Sequence, residues 1–285
     1  MRIFILFLTA FIFTGCADDG RVAVIGGGYG IGEKVGEKRE GNWKYFRDND
    51  SLKAEGNYKN DLAEGEWKFY FENGQLEEVS HWKENKVNGP ITVYHNNGNL
   101  HYSGQYEMDL KQGIWTRYSY QGKKIQEESY VDNYEDGVWT WWYDNGNVKQ
   151  IQTYADSSLT GPFISYYEDG KKQAEGKYIF NLKEGDWYLY FNNGNLMDHS
   201  VYKAGKLHGY AIAYHENGEK RFEGNYLEDL ENGKITWYYA NGKKQLEGNY
   251  VLGNENGTFT YYTMEGQVNY VRNYVNGVEI LDETE

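Results

Sequence analysis

Along this chain short runs of aromatic and polar residues are punctuated by glycine at a fixed interval. The pattern reads as strand, turn, strand. Glycine stands at Gly41, Gly65, Gly89, Gly113, Gly137, Gly161, Gly185, Gly209, Gly233 and Gly257, 24 residues apart each time, with no insertion or deletion over ten copies. Five residues after each glycine comes an aromatic residue, Phe46, Tyr70, Tyr94 and Tyr118 in the first four copies. Seventeen after comes another, Tyr58, Trp82, Tyr106 and Tyr130 in the same copies. Between them lies a turn signal, Asn73-Gly74, Asn97-Gly98, Asn145-Gly146, Asn193-Gly194, Asn217-Gly218 and Asn241-Gly242, with Asn49-Asp50, Gln121-Gly122, Asp169-Gly170 and Glu265-Gly266 as variants. A fixed period of this length marks a repeat architecture. Asn-Gly between aromatic runs predicts a two-residue type I′ hairpin loop, which needs positive φ at both central residues.

The register follows if the leading glycine is counted as position zero. Asn-Gly then occupies positions eight and nine, and paired positions sum to seventeen. Position two, tryptophan in Trp43, Trp67, Trp115, Trp139 and Trp187, faces position fifteen, glycine in Gly56, Gly104, Gly176, Gly224 and Gly248. Position zero faces the aromatic at position seventeen. Large rings are therefore expected over glycines of the neighbouring strand. Position five points to the opposite face from positions two and seventeen, so both faces carry aromatic rows. Pro90 and Pro162 both sit at position one, where a missing N–H is tolerated. Positions eighteen to twenty-three read as polar connectors, often with a leucine such as Leu62, Leu110, Leu182 or Leu230. The expected fold is all-β: an elongated, solenoid-like array of about ten antiparallel hairpins in a single twisted sheet. Twenty strands would extend on the order of 95 Å.

The chain's start differs. Residues 1–15 carry an early basic residue, Arg2, and an apolar run from Ile3 to Phe13, the pattern of a signal-peptide core and too short for a bilayer span. Phe13-Thr14-Gly15-Cys16 resembles a bacterial lipobox, which implies lipidation of Cys16. Asp18-Asp19 just after it resemble the surface-export signal of Bacteroidetes lipoproteins. Residues 16–40 are glycine-rich and read as a flexible tether, residues 41–277 as the ten repeats, and residues 278–285 as an acidic C-terminal tail. The stretch Val24-Ile25-Gly26-Gly27-Gly28-Tyr29-Gly30 lacks the spacing of a dinucleotide or phosphate loop, and no amphipathic helix follows it.

Charge and chemistry narrow the function classes. A net charge of −14 argues against nucleic acid, since phosphate contacts need clustered Lys and Arg. With a single cysteine there is no intramolecular disulfide and no Cys-based metal site. The six histidines (His81, His95, His101, His199, His208, His215) form no metal-binding motif. His95 and His215 share position six but lie five copies apart, roughly 48 Å in a straight array. Glu55, Glu127, Glu175, Glu223 and Glu247 all occupy position fourteen. Recurrence at one position is the mark of a structural pair with Lys across the strand, in contrast to the two unlike carboxylates of a glycoside hydrolase. No cofactor and no enzymatic activity are expected.

The run Gly-x-Trp-x-x-Tyr-[Tyr/Phe]-x-Asn-Gly-x-Leu-x-x-Glu-Gly-x-Tyr, as in residues 65–82 and 185–202, resembles the MORN-repeat variant of bacterial proteins over residues 41–277. That group includes YwqK-family antitoxin-like proteins. The resemblance implies hairpin arrays that bind or scaffold, with membrane or protein partners. The aromatic rows also resemble choline-binding cell-wall repeats. The leading expectation is a non-enzymatic protein lipid-anchored in a bacterial cell envelope, periplasmic or surface-facing, and acting as a protein-interaction scaffold. A carbohydrate or cell-wall module and an immunity or antitoxin-like partner of a toxin are the alternatives. Binding is expected where copies differ, above all at Trp139, Trp141, Trp142, Tyr143, Tyr166 and Tyr167, with the Ala211–Ala213 stretch a second place.

Overall fold

The computed structural model describes residues 20–280, which contain no helix. Two compact units, Met1–Asp136 and Gly137–Glu285, divide the chain. The first unit runs through the strands Tyr29–Val35, Lys38–Phe46, Leu52–Lys59, Leu62–Tyr70, Leu76–Lys83, Lys86–Tyr94, Leu100–Glu107, Leu110–Tyr118 and Lys124–Val131, each antiparallel to the one before. The second unit repeats the plan from Gly137–Trp142 and Val148–Ala155 to Val268–Val275 and Val278–Ile280. The all-β hairpin array is therefore the observed fold class.

The expected register holds through the body of each hairpin. Gly65 faces Trp82, Trp67 faces Ser80 and Phe69 faces Glu78, sums of seventeen. The turn that produces it is different. Phe71 N–H donates to Gln75 O at 2.8 Å and Gly74 N–H to Phe71 O at 3.0 Å. Gly74 has φ +82°, whereas Asn73 does not enter the left-handed region. This is a three-residue loop, a type I turn followed by a left-handed glycine, and not the two-residue type I′ turn the dipeptide predicts. The loop alone would make paired positions sum to sixteen, as Tyr70 with Leu76 does; a bulge between Phe69 and Tyr70 leaves Glu77 unpaired and restores seventeen.

Asparagine has other work in this turn. Asn193 Oδ1 accepts Asn195 N–H at 2.8 Å, and Asn193 Nδ2 donates to Glu216 O in the next turn at 3.1 Å. Asn97, Asn145, Asn217 and Asn241 make the same pair of bonds, so the amides form a ladder along this edge. Asn193→Gly is thus expected to destabilise by about 1–2 kcal/mol, where a type I′ turn would tolerate or favour it. A thermal melt with a rise in midpoint would overturn this assignment.

The type I′ turn exists, but in the connectors. Asn60 and Asp61 have φ 53° and 75°, Glu84 and Asn85 φ 53° and 68°, and Lys59 pairs directly with Leu62 around the first of them. The second turn residue supplies another ladder: Asp61 Oδ1 accepts Arg39 N–H, Asn85 Oδ1 accepts Ala63 N–H, and Asn181 Oδ1 accepts Leu159 N–H. The connectors expected at positions eighteen to twenty-three are therefore hairpin turns whose flanks are strand.

The leading glycine is a bend. Gly41, Gly65, Gly113 and Gly185 have φ between 63° and 70°, and a Cβ at any of them would meet nothing within 4 Å. No ring covers these four glycines, contrary to expectation. Glycine is needed there for its left-handed backbone, at a bulge seen between Glu55 and Asn57 opposite Glu64 and Lys68.

The expected tether is also corrected. Residues 29–35 form a strand on Lys38–Phe46, with Gly30 opposite Tyr45 and Gly32 opposite Trp43, and Val22–Ala23 adds a short outer strand. A Cβ on Gly32 would lie 2.4 Å from the Trp43 ring and one on Gly30 would lie 2.8 Å from Tyr45. These glycines give an aromatic face room to lie flat, so the segment is a half-copy that caps the first repeat. The first residues of the expected acidic tail, Val278–Ile280, are likewise a strand. Residues 1–19, with the expected signal peptide and Cys16, and residues 281–285 lie outside the described residues.

Candidate partner-binding face

The aromatic row at position two is the core of both units. Trp43 and Trp67 in the first unit, and Phe259 in the second, are essentially inaccessible. Each ring lies on the position-fifteen glycine of the copy before: a Cβ on Gly56 would sit 2.1 Å from Trp67, on Gly104 2.2 Å from Trp115, and on Gly176 2.3 Å from Trp187. The glycine under each ring thus belongs to the preceding strand, on the side opposite the hairpin partner. Trp67 Nε1 donates to Asn57 O at 3.2 Å and Trp187 Nε1 to Lys177 O at 3.2 Å. The position-seventeen tyrosines meet these rings edge-on, Tyr58 with Trp67 at 5.1 Å and Tyr178 with Trp187 at 4.9 Å.

A third contributor, in three copies, is a basic residue two before the leading glycine. Arg39 lies 3.8 Å from the Tyr58 ring centre, Lys111 4.5 Å from Trp115 and 4.3 Å from Tyr130, and Lys183 4.4 Å from Trp187 and 4.7 Å from Tyr202. Each is a cation held against an aromatic face, and the two lysines lie against two rings each. These cations were missed by the reading of motifs; tabulating that one position down the period would have found them.

The six aromatics expected as a binding surface do not converge. Trp139 is buried in the position-two row, and Trp141 packs beside it at 5.8 Å. Trp142 and Tyr166, at position five, point to the other face. Tyr143 and Tyr167 are straps along the turn edge: their hydroxyls donate to Tyr166 O at 2.8 Å and Tyr190 O at 2.6 Å. Position six does this also in Arg47 and Tyr239, which reach Tyr70 O and Tyr262 O, and in two histidines. His95 Nε2 lies 3.2 Å from Tyr118 O and His215 Nε2 3.0 Å from Tyr238 O, with the N–H placed on Nε2 because a carbonyl can only accept. Ala211 and Ala213 are buried against Phe222 and Ile235 and form core, not surface.

The position-fourteen glutamates are clamped. Glu55 pairs with Lys44 across the strand at 3.3 Å and accepts Tyr70 OH of the next copy at 2.6 Å. Glu175, Glu223 and Glu247 accept the tyrosine hydroxyl of the next copy and a lysine three residues earlier. Burial pushes Glu223 upward, but bonds from Lys220, Tyr238 and Tyr210 outweigh it and hold the carboxyl at about 2. Bonds from Lys244 and Tyr262 bring Glu247 to about 2 against its burial. Such groups are ionised at neutral pH and cannot serve as general acids. Their stabilisation is present above the unfolded glutamate value and is lost as pH falls from roughly 4.5 towards 2. The acid limb of wild-type unfolding should therefore steepen in that window, and Glu223→Gln/Glu247→Gln should flatten it; an unchanged acid limb in circular dichroism would refute the clamp.

The fourth copy breaks the apolar row. Glu128 stands at position fifteen, 3% exposed, where seven of the other copies have glycine or serine. It accepts Arg117 Nε at 2.9 Å and Tyr130 OH at 2.9 Å. A shallow open depression of about 540 Å³ in the first unit is lined by residues such as Pro90, Thr92, Ser103, Gln105 and Gln112, none of which titrates. Among the described residues no three His, Cys, Asp or Glu side chains gather as a metal site would require.

Edge-bonded hairpins, glycine-seated rings and clamped carboxylates together define a tandem β-hairpin repeat protein. The model of the MORN repeat variant matches residues 39–60, 63–84, 87–108, 135–156, 159–179, 183–204, 207–228 and 231–251, more than half of the chain, and the chain belongs to that family. The copy carrying Glu128 is not among the eight matched segments. No curated protein matches the chain. Among solved structures it is similar to a GtfA/B complex bound to UDP and GlcNAc (13% identity, 39% of this chain and 22% of that one, TM-score 0.19). It is also similar to TcdB2-TccC3-TEV (12%, 82% and 14%, 0.20) and to a Photorhabdus luminescens Tc holotoxin pore (12%, 90% and 17%, 0.19). The chain spans less than a quarter of the length of each of these.

Proposed function

We propose that the protein is a non-enzymatic scaffold of a bacterial cell envelope, anchored by lipid at Cys16, that presents its hairpin array to a protein partner. One observation carries the reading. The residue types that would do chemistry, the recurrent glutamates and the position-six histidines, are spent on joining one copy to the next. What remains free for a partner is the set of side chains that differ between copies. Exposed apolar residues mark the connectors of the second unit, with Phe180 73% exposed and Leu182, Leu230 and Leu252 exposed near it in the period. Burial of the position-two rings leaves them no open face for a sugar, which favours a protein partner over a glycan.

The anchoring half is tested by labelled palmitate, which should enter the wild-type chain and not Cys16→Ser. The scaffold half is tested by cross-linking in intact cells followed by mass spectrometry; a chain that cross-links only to itself would defeat it. An antitoxin-like role, as in the YwqK group, would instead require a toxin encoded beside this gene.

A further inference from the structure

Arg39, Lys111 and Lys183 show how this fold seats a cation. Two before the leading glycine, Lys111 and Lys183 lie over the rings at positions two and seventeen and Arg39 over the one at seventeen, 3.8–4.7 Å from their centres. In the ninth and tenth copies the same place holds Glu231 and Glu255. At position two the ninth copy has Ile235 and the tenth Phe259, but the tyrosines at position seventeen remain. Glu231 faces Tyr226 and Glu255 faces Tyr250 as direct cross-strand pairs, so each carboxylate shares a face with its tyrosine. Tyr226 and Tyr250 pack at the margin of the buried cluster of Phe222 and Ile235 and are only partly buried. Burial and the Glu231 charge push the Tyr226 phenol up to about 12, which fits a carboxylate close to the ring. Among the described residues neither carboxylate has an ion pair or a side-chain hydrogen bond.

We infer that the face formed by Glu231, Glu255, Tyr226 and Tyr250 binds Lys or Arg side chains from a basic segment of a protein partner. The partner's cations take the place that Lys183 fills from within in the seventh copy. Half-exposed rings supply cation–π attraction, and the two carboxylates supply charge complementarity that the self-filled copies lack. A net charge of −14 adds a favourable long-range field for the approach of a basic chain. The inference rests on the scaffold reading and specifies the chemistry of its partner.

The test uses the full chain and a fluorescent synthetic peptide of alternating Lys and Ser, followed by anisotropy. The wild type is expected to bind the peptide. Glu231→Lys/Glu255→Lys should weaken binding about tenfold, because each new lysine fills its own ring site as Lys183 does. Glu168→Lys/Glu216→Lys, which changes net charge equally on exposed turn residues, should stay within about twofold. Acetylating the peptide's lysines should abolish binding. If the glutamate-to-lysine variant does not fold, Glu231→Gln/Glu255→Gln serves, with the same direction expected. Equal losses in the two charge variants, undiminished binding of acetylated peptide, or no binding by the wild type would each overturn the inference. Cross-linking in cells separates this from the scaffold reading. A partner captured equally by wild type and Glu231→Lys/Glu255→Lys would leave the scaffold standing and remove only this surface.

Discussion

Gly176→Ala is expected to cost far more stability than Gly185→Ala, although Gly185 has the rarer backbone. A Cβ on Gly176 would lie 2.3 Å from Trp187 Cδ2 and 2.4 Å from Cε2, deep inside van der Waals contact. The ring cannot retreat easily. Its Nε1 is bonded to Lys177 O, Tyr178 and Phe163 pack against it at 4.9 and 5.4 Å, and Lys183 sits over it. Overpacking of this kind costs about 1–3 kcal/mol, and expulsion of the indole would approach the roughly 3–5 kcal/mol of a tryptophan deletion. We expect about 3–5 kcal/mol. Gly185 has φ +70° but open space around it, so alanine there meets only backbone strain of about 1–2 kcal/mol, partly offset by a less flexible unfolded chain. Urea unfolding monitored by tryptophan fluorescence, with amide exchange to localise the loss in an array of semi-independent copies, is the measurement. A Gly185→Ala loss equal to or larger than that of Gly176→Ala would mean the ring does not rest on the glycine.

The same contrast explains what the sequence disclosed and what it withheld. Periodicity fixed the register because side-chain alternation and one invariant length leave a single pairing that puts every position-two ring on the same face. Asn-Gly located the turn but not its type: three residues of loop plus a bulge, and two residues without one, place Trp67 opposite Ser80 equally well. Only the amide ladder, a contact between neighbouring copies, decides between them. Glycine was the least legible residue, because one letter serves two purposes here. At Gly74 and Gly65 it supplies positive φ, whereas at Gly32 and Gly176 it makes room for a ring. Composition merges these uses, so the segment before the repeats looked like a tether. Its one clue was that Gly32 stands a full period before Gly56.

The candidate face was less legible than the fold for a related reason. Aromatic density drew attention to Trp139 through Tyr143, yet a ring is informative about binding only if it stays exposed after packing. Trp139 does not. The useful signal was a change of sign, from Lys183 to Glu231 and Glu255, at a position that carries no aromatic at all in those copies. Sign matters because an aromatic residue stays across the strand from that position, Tyr178 for Lys183, Tyr226 for Glu231 and Tyr250 for Glu255, while the charge reverses, and charge at a desolvating aromatic surface must be matched from somewhere.

Arg117→Met should be among the most destabilising single substitutions in the first unit, at about 3–5 kcal/mol, and a second substitution should recover much of that loss. Glu128 is almost wholly buried, and Arg117 Nε at 2.9 Å is the charged hydrogen bond that compensates its removal from water. Taking away the guanidinium leaves a buried carboxylate with Tyr130 OH as its short hydrogen-bond donor, a deficit of the size measured for broken buried pairs. Glutamine at the same place would carry no charge and still accept that hydroxyl. The molecule already contains this solution: in the next copy Gln152 occupies position fifteen and accepts Tyr154 OH at 2.9 Å, with Trp141 in place of the arginine. Arg117→Met/Glu128→Gln is therefore expected to be more stable than Arg117→Met alone, by about 1–3 kcal/mol, with Glu128→Gln alone costing less than Arg117→Met because Arg117 retains partial access to water. A double-mutant cycle in urea reads the coupling directly. Additive losses would show that Glu128 draws its compensation from elsewhere, whereas a recovered double variant would show that the fourth copy has exchanged an apolar seat for an ion pair whose two halves depend on each other.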